Sequence, residues 1–382
     1  MRFLHIADLH IGKTVNEFSM LEDQKYILNQ IVELAETEGA DAVVIAGDLY
    51  DRSVPPAQAV TVLDAFFRAL SERGIPVLAV AGNHDSPERL NFASSILEKQ
   101  GLYLAGIYDG EILHTVLRDE WGPVHFYLLP FVKPAAVNDC LGTDCRDFQE
   151  ALQAVLSRIP ETKERSVMVT HQFVTWAGRM PEQSDSEQAL SVGGAETVDV
   201  SLFDRFDYTA LGHLHRCQKI GNREVWYAGS PLKYSKSETA GKKYALLAEM
   251  DAEGKVCTRK LELKPLREMR CIRGPLNELV RPEIAAAQDR EDYLFVTLTD
   301  EGALIDPMRI LRDVYPNTMQ IERERLAQTE EEEQQALKEL KKLEPMELFE
   351  RFFTYATRGS ALNEEDLAAL KEIMEEAKGA GE

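Results

Sequence analysis

The stretch Asp41-Ala-Val-Val-Ile-Ala-Gly-Asp-Leu-Tyr-Asp51 joins a short apolar run to a glycine and a carboxylate. The small and β-branched residues at 42–46 predict a strand buried on both faces, as in layered α/β sheets. Gly47 lets the backbone turn sharply, which places the Asp48 carboxylate at the carboxyl end of the strand, where open α/β sheets bind their ligands. Taken alone, Asp48 more simply ends a strand or caps the next helix, because Asp is common in such loops.

The same arrangement of strand and polar residue recurs along the chain. Four further apolar runs lead to candidate metal ligands: residues 2–7 to Asp8 and His10, residues 75–80 to Gly82-Asn83-His84-Asp85, residues 166–170 to His171, and residues 206–211 to Gly212-His213-Leu214-His215. Five of the eight histidines of the chain occur at these positions. Because unrelated core histidines would not collect at strand ends, the pattern predicts one composite site.

The candidate ligands offer imidazole, carboxylate and amide groups but no thiolate: Asp8, His10, Asp48, Asn83, His171, His213 and His215. This mixture suits two divalent cations such as manganese, iron or magnesium better than a closed structural zinc site, and we favour Mn²⁺. Asp48 is the natural bridge between two ions roughly 3.5 to 4 Å apart. Residues on alternate positions of a strand face the same side, so His213 and His215 can serve both ions.

The ligands divide into two predicted shells around the shared Asp48. One shell contains Asp8, His10 and His215, and the other contains Asn83, His171 and His213. Two adjacent cations of this kind bind a phosphate ester and lower the pKa of a water toward neutrality.

His84 lies next to the candidate ligand Asn83, and we predict that it protonates the leaving oxygen. Asp51, three residues beyond Asp48, is predicted to hold the His84 imidazole in the required tautomer. The alternative for His84 is a helix-capping or packing role. His5, His114 and His125 lack such surroundings and are interpreted as ordinary core or surface residues.

The chain length of 382 residues exceeds what one hydrophobic core usually supports, so we expect more than one domain. Helical patterns at residues 20–37, 56–72 and 86–101 alternate with the first strands, which predicts parallel strands covered by helices. Strand patterns at residues 111–117 and 124–130 have no helix between them and predict an antiparallel pair.

The middle of the chain predicts a second sheet. A helical pattern at residues 147–159 precedes the His171 strand. Residues 172–200 are predicted to form a long loop, and such loops in compact domains are usually functional or mobile. Strand patterns at residues 224–228, 244–249 and 256–263 are expected to complete this second sheet.

The remainder of the chain is predicted to form three further segments. Pro265 ends the first domain, residues 1–265, and residues 266–323 alternate strand and helix patterns, enough for a small α+β domain. Residues 324–345 form a charged linker that ends at Glu344-Pro345. Residues 346–382 contain two short amphipathic helices, which predict a helical hairpin that binds a partner; docking on its own domain is the alternative.

The net charge of −22 argues against a general nucleic-acid coat protein. The distribution of charge is uneven, because residues 216–273 carry fourteen basic and seven acidic side chains, whereas residues 322–382 carry nine basic and seventeen acidic ones. The basic stretch directly follows the last candidate ligand, so it is placed to bind a polyanion near the metals. A solvated surface explains it equally well.

Two features indicate the compartment. The sequence contains no run of about 18 apolar residues, and the first strand leaves no room for a signal peptide, so we expect a soluble, cytoplasmic protein without a membrane partner. The five cysteines form an odd set without paired zinc spacing, which favours reduced thiols. Cys140 and Cys145 leave a disulfide or half a metal site as the alternative.

The ordered motifs resemble those of the calcineurin-like metallophosphoesterases. They are Asp8-x-His10, Gly47-Asp48-x-x-Asp51, Gly82-Asn83-His84-Asp85, the single His171, and Gly212-His213-x-His215. The resemblance implies a four-layered sandwich, in which two facing mixed sheets are flanked by helices. It also implies metal binding by the seven candidate ligands and an acid role for His84.

Within this superfamily the chain is similar to the Mre-type DNA nucleases. The similarity lies in residues 3–13, in Gly47-Asp-Leu-Tyr-Asp-Arg52 with the prolines that follow, in residues 81–87 and in residues 210–215. It implies a capping domain at residues 266–323 and a hairpin that docks on a coiled-coil ATPase. The implied activity is metal-dependent, ATP-stimulated 3′ to 5′ exonuclease action on double-stranded DNA with endonuclease action on single strands and hairpins, in a homodimer within a heterotetramer.

Two other functions remain open on the sequence. A phosphoesterase that acts on a phosphoprotein or a small phosphodiester would keep all seven ligands, but it has no need of the 115 or so residues after the first domain. A DNA-binding scaffold without catalysis would explain the basic stretch and the hairpin, but it has no need of His84 or of a complete ligand set.

Overall fold

The computed structural model describes residues 1–187, 196–300, 304–324 and 349. Residues Met1–Asp300 and Leu304–Glu322 form one unit, and residues Glu301–Ala303 and Arg323–Glu382 form another. Apart from Glu324 and Phe349, the predicted linker (324–345) and hairpin (346–382) lie outside the described residues.

The strands follow one another from the first residues to the end of the first unit. They are β1 (Arg2–Ile6), β2 (Thr14–Val15), β3 (Phe18–Ser19), β4 (Ala42–Ala46), β5 (Val77–Val80), β6 (Leu102–Ala105), β7 (Leu113–Asp119), β8 (Gly122–Leu129), β9 (Arg165–His171), β10 (Phe173–Thr175), β11 (Thr197–Asp199), β12 (Tyr208–Gly212), β13 (Gln218–Lys219), β14 (Val225–Tyr227), β15 (Lys243–Met250), β16 (Val256–Leu263), β17 (Met269–Gly274), β18 (Tyr293–Leu298) and β19 (Thr318–Arg323).

The helices lie between these strands. They are α1 (Leu21–Thr37), α2 (Ala57–Glu72), α3 (Pro87–Asn91), α4 (Ser94–Leu97), α5 (Pro134–Leu141), α6 (Phe148–Leu156), α7 (Leu276–Leu279), α8 (Pro282–Ala286) and α9 (Pro307–Val314). Short 3₁₀ turns occupy Glu98–Gln100, Val200–Phe203 and Lys236–Glu238.

Two mixed six-stranded sheets face each other. The first has the order β16-β15-β1-β4-β5-β6, and the second has the order β13-β14-β12-β9-β8-β7. The strands β1, β4, β5 and β6 run parallel, as do β8, β9, β12 and β14. The predicted antiparallel pair is present as β7 and β8.

Side-chain alternation along the strands builds four layers. On β4, Val43 and Ile45 pack with the helices α1 and α2, whereas Ala42, Val44 and Ala46 pack toward the second sheet. The outer face of the second sheet packs against the helix α6 through residues such as Met168 and Leu152. The predicted four-layered sandwich is therefore confirmed.

Two strands belong to a different sheet from the one that was predicted. The strands β15 and β16 were expected to complete the second sheet, but they lie in the first, where β15 pairs antiparallel with β1. Every residue of β1 after Arg2 is buried, so the edge of β1 that β4 leaves open needs a hydrogen-bonding partner. The chain therefore returns from the second sheet to the first after β14.

Smaller elements also differ from the expectations. The helix predicted from Ser86 to Gly101 is divided at Ala93, which adopts a left-handed φ of 58° that a continuous helix cannot contain. The predicted loop at 172–200 contains β10 and β11, which pair in parallel, while residues 188–195 lie outside the described part. The unpredicted helix α5 has Pro134 in its first turn and Gly142 after its end, and these two residues were its sequence signal.

The strands β17, β18 and β19 form a separate sheet in that order, with β17 parallel to β18. The helical stretch after β17 is divided into α7 and α8 because Pro282 lacks the N–H that a continuous helix needs. One face of this sheet packs on α7, α8 and α9. Its other face, through Met269 and Tyr293, joins the hydrophobic cluster that includes α1. The predicted boundary at Pro265 stays a prediction.

Two observations bear on the predicted compartment. All five cysteines are free thiols. None of the helices in the described part of the chain is long and apolar enough to span a bilayer.

Candidate metal centre

The seven predicted ligands converge where the parallel strands of both sheets end. Asp8 and His10 follow β1, Asp48 follows β4, Asn83 follows β5, His171 ends β9, and His213 and His215 follow β12. The carboxyl ends of parallel strands meet at one edge of a sheet, so facing sheets bring two such edges together. The structure therefore places residues from the two sheets in one cluster.

One group of ligands lies around His10 and His215. The Nε2 atoms of these two imidazoles are 3.1 Å apart, and both side chains are buried. Asp8 lies with them, and the ligand atoms of all three residues are within 4.8 Å of one another. Oδ2 of Asp8 is buried without a hydrogen-bond partner among the described residues. A suitable first cation site is therefore present, because two imidazole nitrogen atoms lie close to a carboxylate group that has an unpaired oxygen.

A second group of ligands lies around Asn83. Its Oδ1 atom is 2.9 Å from His171 Nε2 and 3.1 Å from His213 Nδ1. Asp48 connects the two groups, because its Oδ2 atom is 3.3 Å from His171 Nε2 and 3.6 Å from His10 Nε2. This is the position that the sequence predicts for a bridging carboxylate.

Burial and charge together set the ionisation of these groups. Burial opposes the charge on Asp48, but the charge of His171 and its hydrogen bond hold the pKa of Asp48 well below its usual range. Burial likewise opposes the charge on His171, but the charge of Asp48 and the hydrogen bond raise the pKa of His171 to about 9. Burial lowers the pKa of His213 to about 3 and that of His10 well below its usual value. Neutral imidazoles keep a lone pair free to bind a cation.

Several ligands have an unusual backbone conformation. Asp8, His10, Asp48 and His213 have φ values of 53°, 46°, 52° and 101°, which non-glycine residues rarely adopt. Hydrogen bonds between the loops hold these residues in place: the Asp8 N–H donates to the Gly47 carbonyl at 3.0 Å, and the His10 N–H donates to the Asp48 carbonyl at 2.9 Å. Strain that is held at a ligand loop in this way is typical of functional sites.

Residues behind the ligands orient them. The His171 Nδ1–H donates to the Ala46 carbonyl at 2.8 Å, which leaves Nε2 for a cation. The Asp85 carboxylate, to which the sequence alone assigns no role, accepts from the N–H groups of Leu49, Tyr50 and Gly82. Burial and the charge of Asp48 raise the pKa of Asp85 to about 7. Asp85 therefore joins the loop after β4 to the loop after β5, and its sequence signal was the motif that it shares with His84.

His84 lies beside both groups of ligands. Its N–H donates to Oδ1 of Asp48 at 2.9 Å, and its ring centroid is 4.8 Å from that of His10. His84 Nδ1 donates to the main-chain carbonyl of Asp51 at 3.0 Å. The Asp51 carboxylate, which was predicted to hold the His84 imidazole, instead accepts from Lys13 Nζ at 2.6 Å. Asp51 thus orients His84 through its main chain.

The three remaining histidines lie outside this cluster. His5 is buried in the core between Tyr208 Oη at 3.0 Å and the Leu211 carbonyl at 3.2 Å, and burial lowers its pKa to about 3. His114 and His125 stack on each other on the β7–β8 hairpin. Their positions agree with their interpretation as core and surface residues.

The basic stretch at residues 216–273 is largely neutralised. At least ten of its fourteen cationic side chains form ion pairs with carboxylates of the described residues. Among them, Lys243 pairs with the buried Glu238, and Arg267 pairs with Glu22 and Asp23. These pairs favour a structural role for the stretch over a polyanion-binding one.

Comparison with known proteins gives the same fold. Residues 1–217 match the calcineurin-like phosphoesterase family, and residues 265–357 match the family described as type 5 capsule protein repressor C-terminal domain. The SbcD chain of the nuclease SbcCD from Staphylococcus saprophyticus is 36% identical over 326 residues, and the SbcD chain from Staphylococcus epidermidis is 33% identical over 329 residues; each match covers 84% of both chains. A dimetal phosphatase from Danio rerio aligns with 69% of this chain and 96% of its own at 15% identity, with a TM-score of 0.43.

The chain therefore belongs to the calcineurin-like phosphoesterases, and it is a metal-dependent hydrolase of phosphoesters. The donor set fits the divalent cations that this family implies, since it contains neutral imidazoles, carboxylates and a buried unpaired oxygen. Within that class it belongs to the SbcD family of nuclease chains.

Gly82→Ala should disrupt the centre without altering any ligand. A Cβ atom at Gly82 would lie 2.1 Å from Asp48 Oδ1 and 2.4 Å from the Asp48 nitrogen, so the Asp48 carboxylate has to move. We expect a fall in Mn²⁺ affinity of about 10- to 100-fold, as for other losses of ligand support. Titration calorimetry measures it, with Gly241→Ala as the control, because the nearest atom to a Cβ there is 3.5 Å away. An unchanged affinity in the Gly82 variant would contradict the bridging position of Asp48.

Proposed function

We propose that the chain is a two-metal DNA nuclease, the catalytic subunit of an SbcCD-type complex in DNA repair and recombination. Its activity is ATP-stimulated 3′ to 5′ exonuclease action on double-stranded DNA and endonuclease action on single strands and hairpins. The observation that carries this proposal is the pair of ligand groups joined by Asp48, with His84 beside them, in a chain similar to SbcCD nuclease chains over 84% of its length.

The residues divide the work of phosphodiester hydrolysis. Asp8, His10 and His215 would hold one cation, and Asn83, His171 and His213 the other, with Asp48 shared between them. Bound divalent cations neutralise phosphate charge and acidify the attacking water. Mn²⁺ is our choice because the mixed imidazole, carboxylate and amide donors suit a borderline cation.

His84 is the proposed proton donor to the leaving oxygen. The Asp51 carbonyl accepts its Nδ1–H at 3.0 Å, which fixes the plane of the ring and reserves Nε2 for the substrate. In this role the main-chain carbonyl of Asp51 positions the His84 imidazole. The Asp51 carboxylate accepts a hydrogen bond from Lys13 and so stabilises the loop that contains Asp51.

A homodimer is the proposed state of the chain, and its face is the groove between α2 and the α3–α4 segment. The groove has a volume of about 930 Å³ and is lined by Val60, Phe67 and Phe92. Phe92 is 80% exposed, and Ile96 in the same segment is 68% exposed. Exposed apolar side chains grouped in this way are typical of protein interfaces.

Phe92→Asp should convert the dimer into a monomer, because a carboxylate at the centre of an apolar interface loses its hydration without a partner. Sedimentation velocity at micromolar concentration measures the state of each chain. Trp121→Ser is the matched control, since Trp121 is an exposed aromatic residue, 51% accessible, at another position. A dimer that persists in the Phe92 variant would place the interface elsewhere.

An SbcC-like coiled-coil ATPase is the proposed partner, and residues 346–382 are the proposed docking segment. Their sequence groups Leu348, Phe349, Phe352 and Phe353 beyond a charged linker, which suits an amphipathic helix bound in a groove. A chain without residues 346–382 should lose copurification with the ATPase and keep Mn²⁺-dependent hydrolysis of bis(p-nitrophenyl) phosphate. A partner that still copurifies would show that another surface binds it.

The nuclease assignment is tested with a labelled double-stranded oligonucleotide and bis(p-nitrophenyl) phosphate in Mn²⁺ and in chelator. We expect the wild type to cleave both substrates, Asp48→Ala to cleave neither, and His84→Gln to lose about 10²- to 10⁴-fold in rate while still binding Mn²⁺. His114→Gln, outside the centre, is the control. Equal rates in the His84 variant would remove its acid role. Hydrolysis of the small ester alone, even with the ATPase present, would favour a phosphoesterase of a phosphoprotein or a small phosphodiester.

A further inference from the structure

Glu238 is a buried carboxylate close to the candidate ligand His215. Its side chain is 2% exposed, and Oε1 lies 3.9 Å from His215 Nδ1, too far for a direct hydrogen bond. Glu238 belongs to the 3₁₀ turn Lys236–Glu238, whereas His215 lies in the loop that follows β12. The proposed mechanism gives this residue no role.

The Ser186 hydroxyl bridges Glu238 and His215 through two hydrogen bonds. Its Oγ is 2.7 Å from His215 Nδ1 and donates to Glu238 Oε1 at 2.6 Å. Because the hydroxyl hydrogen points to the carboxylate, Oγ is left to accept the Nδ1–H of His215. That tautomer leaves the lone pair of His215 on Nε2, the atom that faces His10.

Lys243 holds the same ligand from its main-chain side. Its Nζ atom donates to the His215 carbonyl at 2.8 Å and to the second oxygen of Glu238. The N–H of His215 donates to Oε1 of Glu187 at 2.7 Å. The ring and the main chain of His215 are therefore fixed by a continuous buried network that includes Glu238.

The segment that carries Glu238 is itself attached to two different parts of the fold. Tyr234 Oη donates to the Leu9 carbonyl at 2.6 Å, next to the ligand His10. Lys233 Nζ donates to Glu268 Oε1 at 2.7 Å, and Lys236 pairs with Glu322, so the segment is also attached to the sheet of β17, β18 and β19. This double attachment gives Glu238 a fixed position relative to the ligands.

We infer that Glu238 is a positioning residue for the metal centre: acting through Ser186, it selects the tautomer and ring orientation with which His215 binds its cation. The inference rests on the proposed two-metal site, but it is independent of DNA as the substrate. Ser186 lies in the segment at residues 172–200 that the sequence singled out without assigning it a role, and this contact supplies one.

The test is Mn²⁺ titration of the full-length chain by calorimetry, with thermal unfolding in chelator measured in parallel. We expect Ser186→Ala to weaken one of two Mn²⁺ sites by about 10-fold and Glu238→Gln to weaken the same site by about 10- to 100-fold. Ser186→Thr keeps the hydroxyl and should restore wild-type affinity. Glu262→Gln is the matched control, because Glu262 forms an exposed ion pair with Lys242.

The outcomes separate positioning from a purely structural role. If Glu238 only balances the charge of Lys243, Glu238→Gln will lower the unfolding temperature while Ser186→Ala leaves both Mn²⁺ affinities unchanged, and the inference is overturned. If Glu238→Gln fails to fold, the Mn²⁺ affinities of Ser186→Ala and Ser186→Thr are sufficient to test the inference. Both of these variants keep the ion pair between Glu238 and Lys243. Wild-type chain that binds two Mn²⁺ ions without cleaving DNA, even with the ATPase present, would end the nuclease proposal but leave this inference standing. Wild-type chain that binds no Mn²⁺ would end both.

Discussion

The interaction between Asp48 and His171 joins the two halves of the sandwich at the metal centre. Asp48 follows β4 of the first sheet and His171 ends β9 of the second, and the two side chains meet at 3.3 Å in almost complete burial. Each residue shifts the pKa of the other toward the charged form, against the opposing effect of burial. A buried charge left without its partner is costly, so the approach of the two sheets and the geometry of the centre depend on each other.

Close approach of the loops requires glycine at two strand ends. A Cβ atom at Gly212 would lie 1.8 Å from the Ala46 carbonyl oxygen, and one at Gly82 would lie 2.1 Å from Asp48 Oδ1. These distances leave no room for any side chain. The two glycines are therefore needed because they lack a side chain, which allows the neighbouring ligand loops to approach closely.

The positions of the ligands could be predicted from the sequence because each has a local signal. Asp8, Asp48 and His171 each follow an apolar run, and strand ends of this kind meet at one edge of a sheet. The sheet to which β15 and β16 belong had no such signal, since pairing between β1 and residues 243–250 is a contact between distant parts of the chain. The contact between Ser186 and Glu238 could not be predicted from the sequence either, because it depends on how two separate loops pack together.

The order of the elements along the chain has a consequence for biosynthesis. The last candidate ligand is His215, but its supports Glu238 and Lys243 and the β15 partner of β1 extend to Met250. A nascent chain that stops between these points contains every ligand, yet it leaves one edge of β1 unpaired and the His215 main chain unsupported. Assembly of the centre is thus expected to wait until the chain has been made as far as Met250. Shorter translation products are expected to be inert polypeptides.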